Sequence, residues 1–394
     1  MKLPLFYVLL LSLFSCKPSA ESIVYRAELS INDSLGLPFF LSYNKTTEEY
    51  IIRNGSEKIS GLYKTKIGDS IDLEHPVFNS SLRFVEGDTL KGYWYNREKG
   101  SYKMPLIAFE SAIRFQQKAN PNKLIAERWS TEFDEGEDKY PAVGVFELTE
   151  GIVTGTFLTE TGDYRYLEGV LSDSVLSLST FDMSHAFLFL AKVQDDQLQG
   201  MFYSGHHFLC SWNAIADQNA QLRSAQNLVG LVDTAEVNFE VVDFNGDIIS
   251  LDHPSFKGKP LVVQIFGSWC PNCYDESIYL REIYLELQKD SIQLIGVGFE
   301  KSENEEAAFL KLQKFREGLD IPYPLAYGGR ADKELAQTVF PFLDKVVAFP
   351  TLLFFNKRHD LIAIHTGFSG PGTGDHYLNT KKEIESLVLS LKEE

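Results

Sequence analysis

A chain of 394 residues with 44% apolar and 23% charged residues has the composition of a globular protein of two or three domains. Its net charge of −18 argues against nucleic acid as a partner, because phosphate binding needs clustered Lys and Arg. The 29 Phe and 18 Tyr suit a β-rich region.

Met1-Lys2 is a short positive start, and Leu5 to Phe14 is an apolar run. At about ten residues it is too short to span a bilayer and fits the core of an export signal. The run ends Leu13-Phe14-Ser15-Cys16, which resembles a bacterial lipobox. The resemblance implies a signal peptide over 1–15, a lipid on the sulfur of Cys16 and a tether over 16–22. It also implies a place in the bacterial envelope, facing the periplasm. A plain secretory signal or a free cysteine is the alternative. Several acyl chains anchor firmly where one binds marginally.

From residue 23 to 216 the pattern is strand and turn. YRAELSI, PFFLSY, EYIIRN, SIDLE, SLRFVEG and LKGYWYN are short runs punctuated by turn pairs such as Asn54-Gly55 and Asp195-Asp196. Such spacing predicts an all-β antiparallel barrel or sandwich. The region also reads as duplicated. Pro38-Phe39-Phe40-Leu41 matches Pro141-Ala142-Val143-Gly144, Gly68-Asp69-Ser70-Ile71 matches Ser172-Asp173-Ser174-Val175, and Asp88 to Trp94 matches Asp196 to Phe202. The offset drifts only from 103 to 108 residues, so two β halves are expected, over 23–118 and 119–216. Asp134 to Asp138 lacks regular ligand spacing and reads as a solvated acidic turn. His206-His207 hints at a ligand or metal pocket, but a hairpin strand with alternating faces explains it better. Cys210, in apolar company, reads as a small buried hydrophobe. Residues 217–236 are polar and read as a linker.

Over 237–394 the grammar changes. VNFEVVDFNGDIISL predicts a hairpin with Asn245-Gly246 at its turn. LVVQIFGSW and IQLIGVGF are continuous apolar runs, as in strands buried on both faces. Pro271 to Lys289, Glu303 to Leu319 and Tyr377 to Leu391 carry helical spacing. TLLFFN and LIAIHTGF pair as a hairpin around Lys357 to Asp360. Strands alternating with helices predict a mixed sheet with helices on both faces. GPGTGDHY, from Gly370 to Tyr377, reads as a loop and helix cap.

The stretch FGSWCPNCYDES, from Phe266 to Ser277, carries the chemistry. No second CxxC exists and no histidine lies between His253 and His359, so a zinc site lacks ligands. A disulfide closing so small a loop is a poor staple. A redox pair has a rationale. Cys270 follows a buried strand and precedes Pro271, which suits the first turn of a helix. The unpaired N–H groups there favour a thiolate, which makes Cys270 the attacking sulfur. Cys273 lies one turn on, placed to resolve a mixed disulfide.

Trp269-Cys270-Pro271-Asn272-Cys273 after an apolar strand, with Phe349-Pro350-Thr351 about 80 residues later, resembles a thioredoxin-like α/β fold. The resemblance implies that Pro350 is cis and faces the Cys270–Cys273 disulfide. It also implies that Trp269, Phe349 and Thr351 shape the substrate position. The helical insert from Glu303 to Phe315 is similar to the TlpA/ResA-like subgroup of membrane-tethered thiol-disulfide oxidoreductases. That subgroup carries Glu three residues after the second Cys, and Glu276 occupies that place, one helical turn on. A proton relay to Cys273 is implied. The buried acid of thioredoxin itself is here Gln264, which cannot relay a proton. The front half more weakly resembles the β-rich extensions of Bacteroidetes-type envelope lipoproteins. Taken together, these likenesses imply a reductase of the cytochrome c maturation type. Its partners would be disulfide-containing envelope proteins and a membrane thiol electron donor, with no cofactor. A binding lipoprotein whose β region recognises a target is an alternative. So is a thiol peroxidase, although such enzymes usually use a lone attacking cysteine.

Overall fold

The computed structural model describes residues 22–120, 125–232, 236–302 and 304–392. The expected signal segment and lipidated Cys16 lie outside these residues.

The first β half contains β1 (Ser22–Asn32), β2 (Leu35–Asn44), β3 (Glu49–Asn54), β4 (Glu57–Ile59), β5 (Tyr63–Ile67), β6 (Ser70–Glu74), β7 (Ser80–Val85), β8 (Thr89–Asn96) and β9 (Tyr102–Glu110). They form one antiparallel sheet in the order β4-β3-β2-β1-β9-β8-β7-β6-β5. The second half contains β10 (Arg128–Asp134), β11 (Lys139–Thr149), β12 (Ile152–Thr159), β13 (Gly162–Asp163), β14 (Leu167–Leu171), β15 (Val175–Phe181), β16 (Ala186–Gln194), β17 (Gln197–Ser204) and β18 (Phe208–Ala216). Its order is β11-β10-β18-β17-β16-β15-β14-β12-β13, and β11 also pairs with β12. That last pairing closes eight strands into a barrel, with β13 as a short flap on β12. The segments similar in sequence fall on corresponding strands: β2 and β11, then the turns before β6 and β15, then those before β8 and β17.

The barrel follows the period-2 pattern of its strands. In β10, Trp129, Thr131 and Phe133 are buried, while Ser130 and Glu132 face water. Gly155 sits at the closing corner, where β12 pairs with both β11 and β14. Its φ is 153°, and a Cβ there would overlap the Val145 carbonyl oxygen. Only glycine lets the two neighbours approach at that bend.

The open sheet closes on the barrel instead. Phe181, Met183 and Leu188 join its apolar core. At the seam, Asn54 donates to Phe181 O (2.8 Å) and accepts from Phe181 N (3.1 Å). Buried Arg114 donates to Ser179 O (2.9 Å) and Arg53 O (3.1 Å).

The last unit contains β19 (Glu240–Asp243), β20 (Ile248–Ser250), β21 (Leu261–Phe266), α1 (Pro271–Lys289), β22 (Gln293–Glu300), α2 (Glu305–Gly318), β23 (Leu325–Arg330), α3 (Lys333–Val339), β24 (Thr351–Phe355), β25 (Leu361–Thr366) and α4 (Asp375–Ser390). The sheet order is β20-β19-β23-β22-β21-β24-β25, with β21, β22 and β23 parallel. Every residue of β21 is buried. Val262 and Phe266 face α1 and α2, while Val263 and Ile265 face the α3 side. This is the thioredoxin-like fold, with the first cysteine just past the carboxyl end of β21, an interior strand between β22 and β24. β23 and α3 had no sequence prediction. LAYGGR carries two glycines, and seven residues are too few to show a helical period. Within the polar 217–236 stretch, Leu228 and Val229 are buried in this unit's core.

Candidate active site

Phe266 ends β21, and the chain turns through Gly267, Ser268 and Trp269 to place Cys270 as the N-cap of α1. Cys270 Sγ accepts the Cys273 N–H at 3.4 Å, and Pro271 occupies the first helical position. A side chain at this cap meets backbone donors with no helical partner. Cys270 is 8% exposed and Cys273 fully buried. The two cysteines lie together at the start of α1 and are drawn as thiols. Burial opposes ionisation of Cys270. Hydrogen bonds from the Cys273 thiol and from the N–H groups of Cys273 and Asn272, with Lys301 near, outweigh it and hold the thiol below its ordinary range. Burial and then the neighbouring Cys270 push Cys273 well above that range.

Glu276 is fully buried one turn beyond Cys273. Its Oε2 accepts from Gln264 Nε2 at 2.9 Å, and its Oε1 has no hydrogen-bond partner. Burial drives this carboxyl well above its ordinary range, against the Gln264 bond. Gln264 also donates to Ser277 Oγ (3.0 Å) and accepts from the Tyr323 hydroxyl (3.3 Å). The glutamine thus anchors the acid that stands where the resemblance places one.

The Phe349-Pro350 peptide is cis. The Cys270 thiol donates to Phe349 O at 3.3 Å. Trp269 donates through Nε1 to Phe299 O (2.9 Å), and its ring meets Phe349 edge-on at 5.9 Å. Thr351, expected at the substrate position, has a buried side chain whose hydroxyl donates to Ala348 O (3.0 Å). That hydroxyl is used within its own turn and does not reach the cleft described next.

A cleft of about 700 Å³ opens above Cys270, between the mouth of the closed barrel and one end of the open sheet. His206-His207 occupies the tight turn between β17 and β18 rather than a strand, because Gly205 at φ 59° turns the chain there. His207 lines the cleft. The Asp134–Asp138 segment is an exposed turn, and Cys210 is buried in the barrel core. Asn272, between the cysteines, abuts Gly162 of the barrel so closely that a Cβ at Gly162 would overlap its Nδ2.

Two groups near the cysteines were missed in the sequence. Glu300, the last residue of β22, is fully buried and accepts from Ser268 N (2.9 Å) and Ser268 Oγ (2.7 Å). It clamps the turn that presents Cys270, and burial raises its carboxyl to about 7. A lone acid ending an apolar run was its only signal. The second group is Arg165, 5% exposed, in the β13–β14 connection. It forms ion pairs with Glu57 (3.2 Å), Asp182 (3.3 Å) and Asp275, joining the open sheet, the barrel and α1. Burial pushes Asp275 up to about 6 and Glu57 to about 7, with Arg165 pulling both the other way. Among the described residues no group of three His, Cys, Asp or Glu side chains is arranged to hold a metal ion.

Residues 232–363 match the AhpC/TSA family. The chain is 24% identical over 131 residues to the thiol-disulfide oxidoreductase ResA of Halalkalibacterium halodurans. That match covers 33% of this chain and 66% of the relative. It is 29% identical over 125 residues to the thiol:disulfide interchange protein DsbE of Vibrio cholerae, covering 32% of this chain and 56% of the relative. A solved structure of a DsbE-type interchange protein from Chlorobium tepidum overlays 41% of this chain and 99% of its own, at 15% identity and a TM-score of 0.33. The C-terminal unit is TlpA/ResA-like. The TlpA/ResA-like segment spans less than two thirds of the length of the two relatives named, and the paired β halves lie outside it. Among the described residues no helix is long and apolar enough to cross a membrane.

Proposed function

We propose that this chain is a lipid-anchored thiol-disulfide oxidoreductase that reduces disulfides of envelope proteins, in the manner of cytochrome c maturation. The observation that carries the reading is the asymmetry of the two thiols. Cys270 caps a helix, has a thiol held below its ordinary range and meets the cleft beside Pro350, while Cys273 is sealed beneath it with its thiol pushed well above that range.

The thiolate of Cys270 attacks one sulfur of a substrate disulfide. The S–S bond breaks, a mixed disulfide forms at Cys270 and the first substrate thiolate leaves. Cys273 then loses its proton and attacks Cys270 Sγ. The second substrate thiol leaves, and the two electrons of the protein dithiol have passed to the substrate. Glu276 is the buried group that accepts and returns the Cys273 proton; its unpartnered Oε1 is free for that role. Extended substrate backbone aligns beside Pro350, under Trp269 and Phe349. A membrane dithiol donor restores the reduced pair, and the lipid on Cys16 keeps the two together.

Cys273→Ser should accumulate mixed disulfides with client proteins, identified by mass spectrometry after non-reducing electrophoresis, and Cys270→Ser should accumulate none. If Cys273→Ser traps nothing while the wild type still reduces insulin, the assignment of Cys270 is wrong.

A further inference from the structure

The cleft above Cys270 has walls that a bare thioredoxin-like unit lacks. Its volume of about 700 Å³ is that of a small-molecule or short-peptide site. One wall is the aromatic mouth of the closed barrel, with Tyr140, Tyr164, Phe187 and Phe202. The attacking sulfur lies at the floor with 8% exposure. That recess favours a disulfide on a narrow, extended arm over one held flat on the face of a folded protein.

The charges of the lining are unequal in their partners. Glu98 is paired with Lys311 (2.6 Å) and Glu160 with Arg223 (2.6 Å). Asp163 accepts the N–H groups of Gly370 and Arg165, each at 2.7 Å. Glu135 sits on the barrel rim beside Tyr140. His185 is paired with Asp182. The two lining lysines have no carboxylate partner among the described residues. Lys301 Nζ lies 3.7 Å over the Trp269 ring. Lys99 Nζ stands 3.0 Å from His207 Nε2 and over the Tyr102 ring. A molecule of net charge −18 therefore presents two lysines without a direct carboxylate contact at the approach to its nucleophile, Lys301 in the field of Glu98 and Lys99 in that of Asp182. Low-dielectric walls concentrate such a field on an incoming anion.

We infer that the cleft selects disulfides carried on an extended arm with a carboxylate a few bonds from the sulfur. The acid meets Lys99 and Lys301, and the apolar part of the arm lies against the barrel mouth. This rests on the exchange reading above and names its substrate class. The arm is either an acidic polypeptide segment or a small acidic disulfide, and the two share this chemistry.

The test uses the full chain in its dithiol form and three disulfides of similar size: 3,3′-dithiodipropionate (anionic), bis(2-hydroxyethyl) disulfide (neutral) and cystamine (cationic). Single-turnover oxidation is followed by acid quench, alkylation and mass spectrometry. Each rate is divided by the rate of the same disulfide with free 2-mercaptoethanol, which removes intrinsic reactivity. The normalised diacid rate should exceed the neutral one by about tenfold at low salt, with cystamine slowest, and the order should collapse in high salt. Lys99→Gln should lower the diacid-to-neutral ratio by about threefold or more, and Lys99→Arg should restore it. A short acidic peptide disulfide distinguishes the sources: a further tenfold preference over the diacid indicates a polypeptide, and parity indicates a small compound. No charge order in the wild type, or a ratio that Lys99→Gln leaves unmoved, overturns the inference while exchange itself stands. Failure of all three disulfides to oxidise the pair overturns the exchange reading and this inference together.

Discussion

The two β halves share one strand order and end as different objects. In the second half β12 reaches both β11 and β14, so eight strands close on an aromatic core of their own. In the first half β3 ends at β4, and every residue of β5 stands exposed at the other edge. Its core is completed by Phe181, Met183 and Leu188 from the barrel. Closure makes one copy self-sufficient and leaves its mouth available to the thiol site. Openness makes the other copy a cradle that depends on its twin. A repeated sequence pattern therefore specifies strand order without specifying closure, which turns on a glycine corner in one copy and the Asn54 seam in the other.

The strongest way to break this comparison is to remove what ties all three units together. Arg165→Met leaves Glu57, Asp182 and Asp275 buried without their shared cation. It should cost about 3–5 kcal/mol by urea denaturation; an unchanged midpoint would deny the node any structural role. Next comes dependence of one copy on the other. Phe189→Ala in the barrel core should cost about 3–5 kcal/mol and expose amides of both sheets to hydrogen exchange. Leu73→Ala in the open sheet should cost about 2–5 kcal/mol and leave barrel amides protected. Equal loss of protection from the two variants would erase the distinction. Asn54→Ala removes both bonds to the Phe181 backbone and should cost about 1–3 kcal/mol, with faster exchange confined to β3 and β15.

The smallest effect concerns pH. Glu57 titrates at about 7 and Asp275 at about 6 in the folded protein, both raised by burial. The folded chain then holds protons that the unfolded chain has released, so these groups make stability fall as pH rises from about 4 to 7. Glu57→Gln should flatten that fall, read from denaturation midpoints across the window; an unchanged slope would place the proton elsewhere.

What was legible in the sequence follows from which signals are local. Cys270 and Cys273 announce themselves by spacing, Pro350 only through the family resemblance, and α1 spans Pro271–Lys289 as its pattern predicts. The strand repeat was visible because turn residues recur at a near-constant offset. Glu300 and Arg165 were not visible, because a single charged residue carries no period and its meaning depends on what folds over it. The burial of Asp275 has the same cause: α1 alone presents it to solvent, and only the barrel's Arg165 makes the position an interior one. His207 reached the cleft through a tight turn that strand alternation could not foresee.

The contact between Asn272 and Gly162 reaches beyond packing. Here a bulkier residue at 272 would have to displace the β12–β13 hairpin, and a side chain at 162 would press back on the helix start. The thiol pair and the barrel are in that sense tuned as one part, and altering the spacer in this protein means redesigning a wall some hundred residues earlier in the chain.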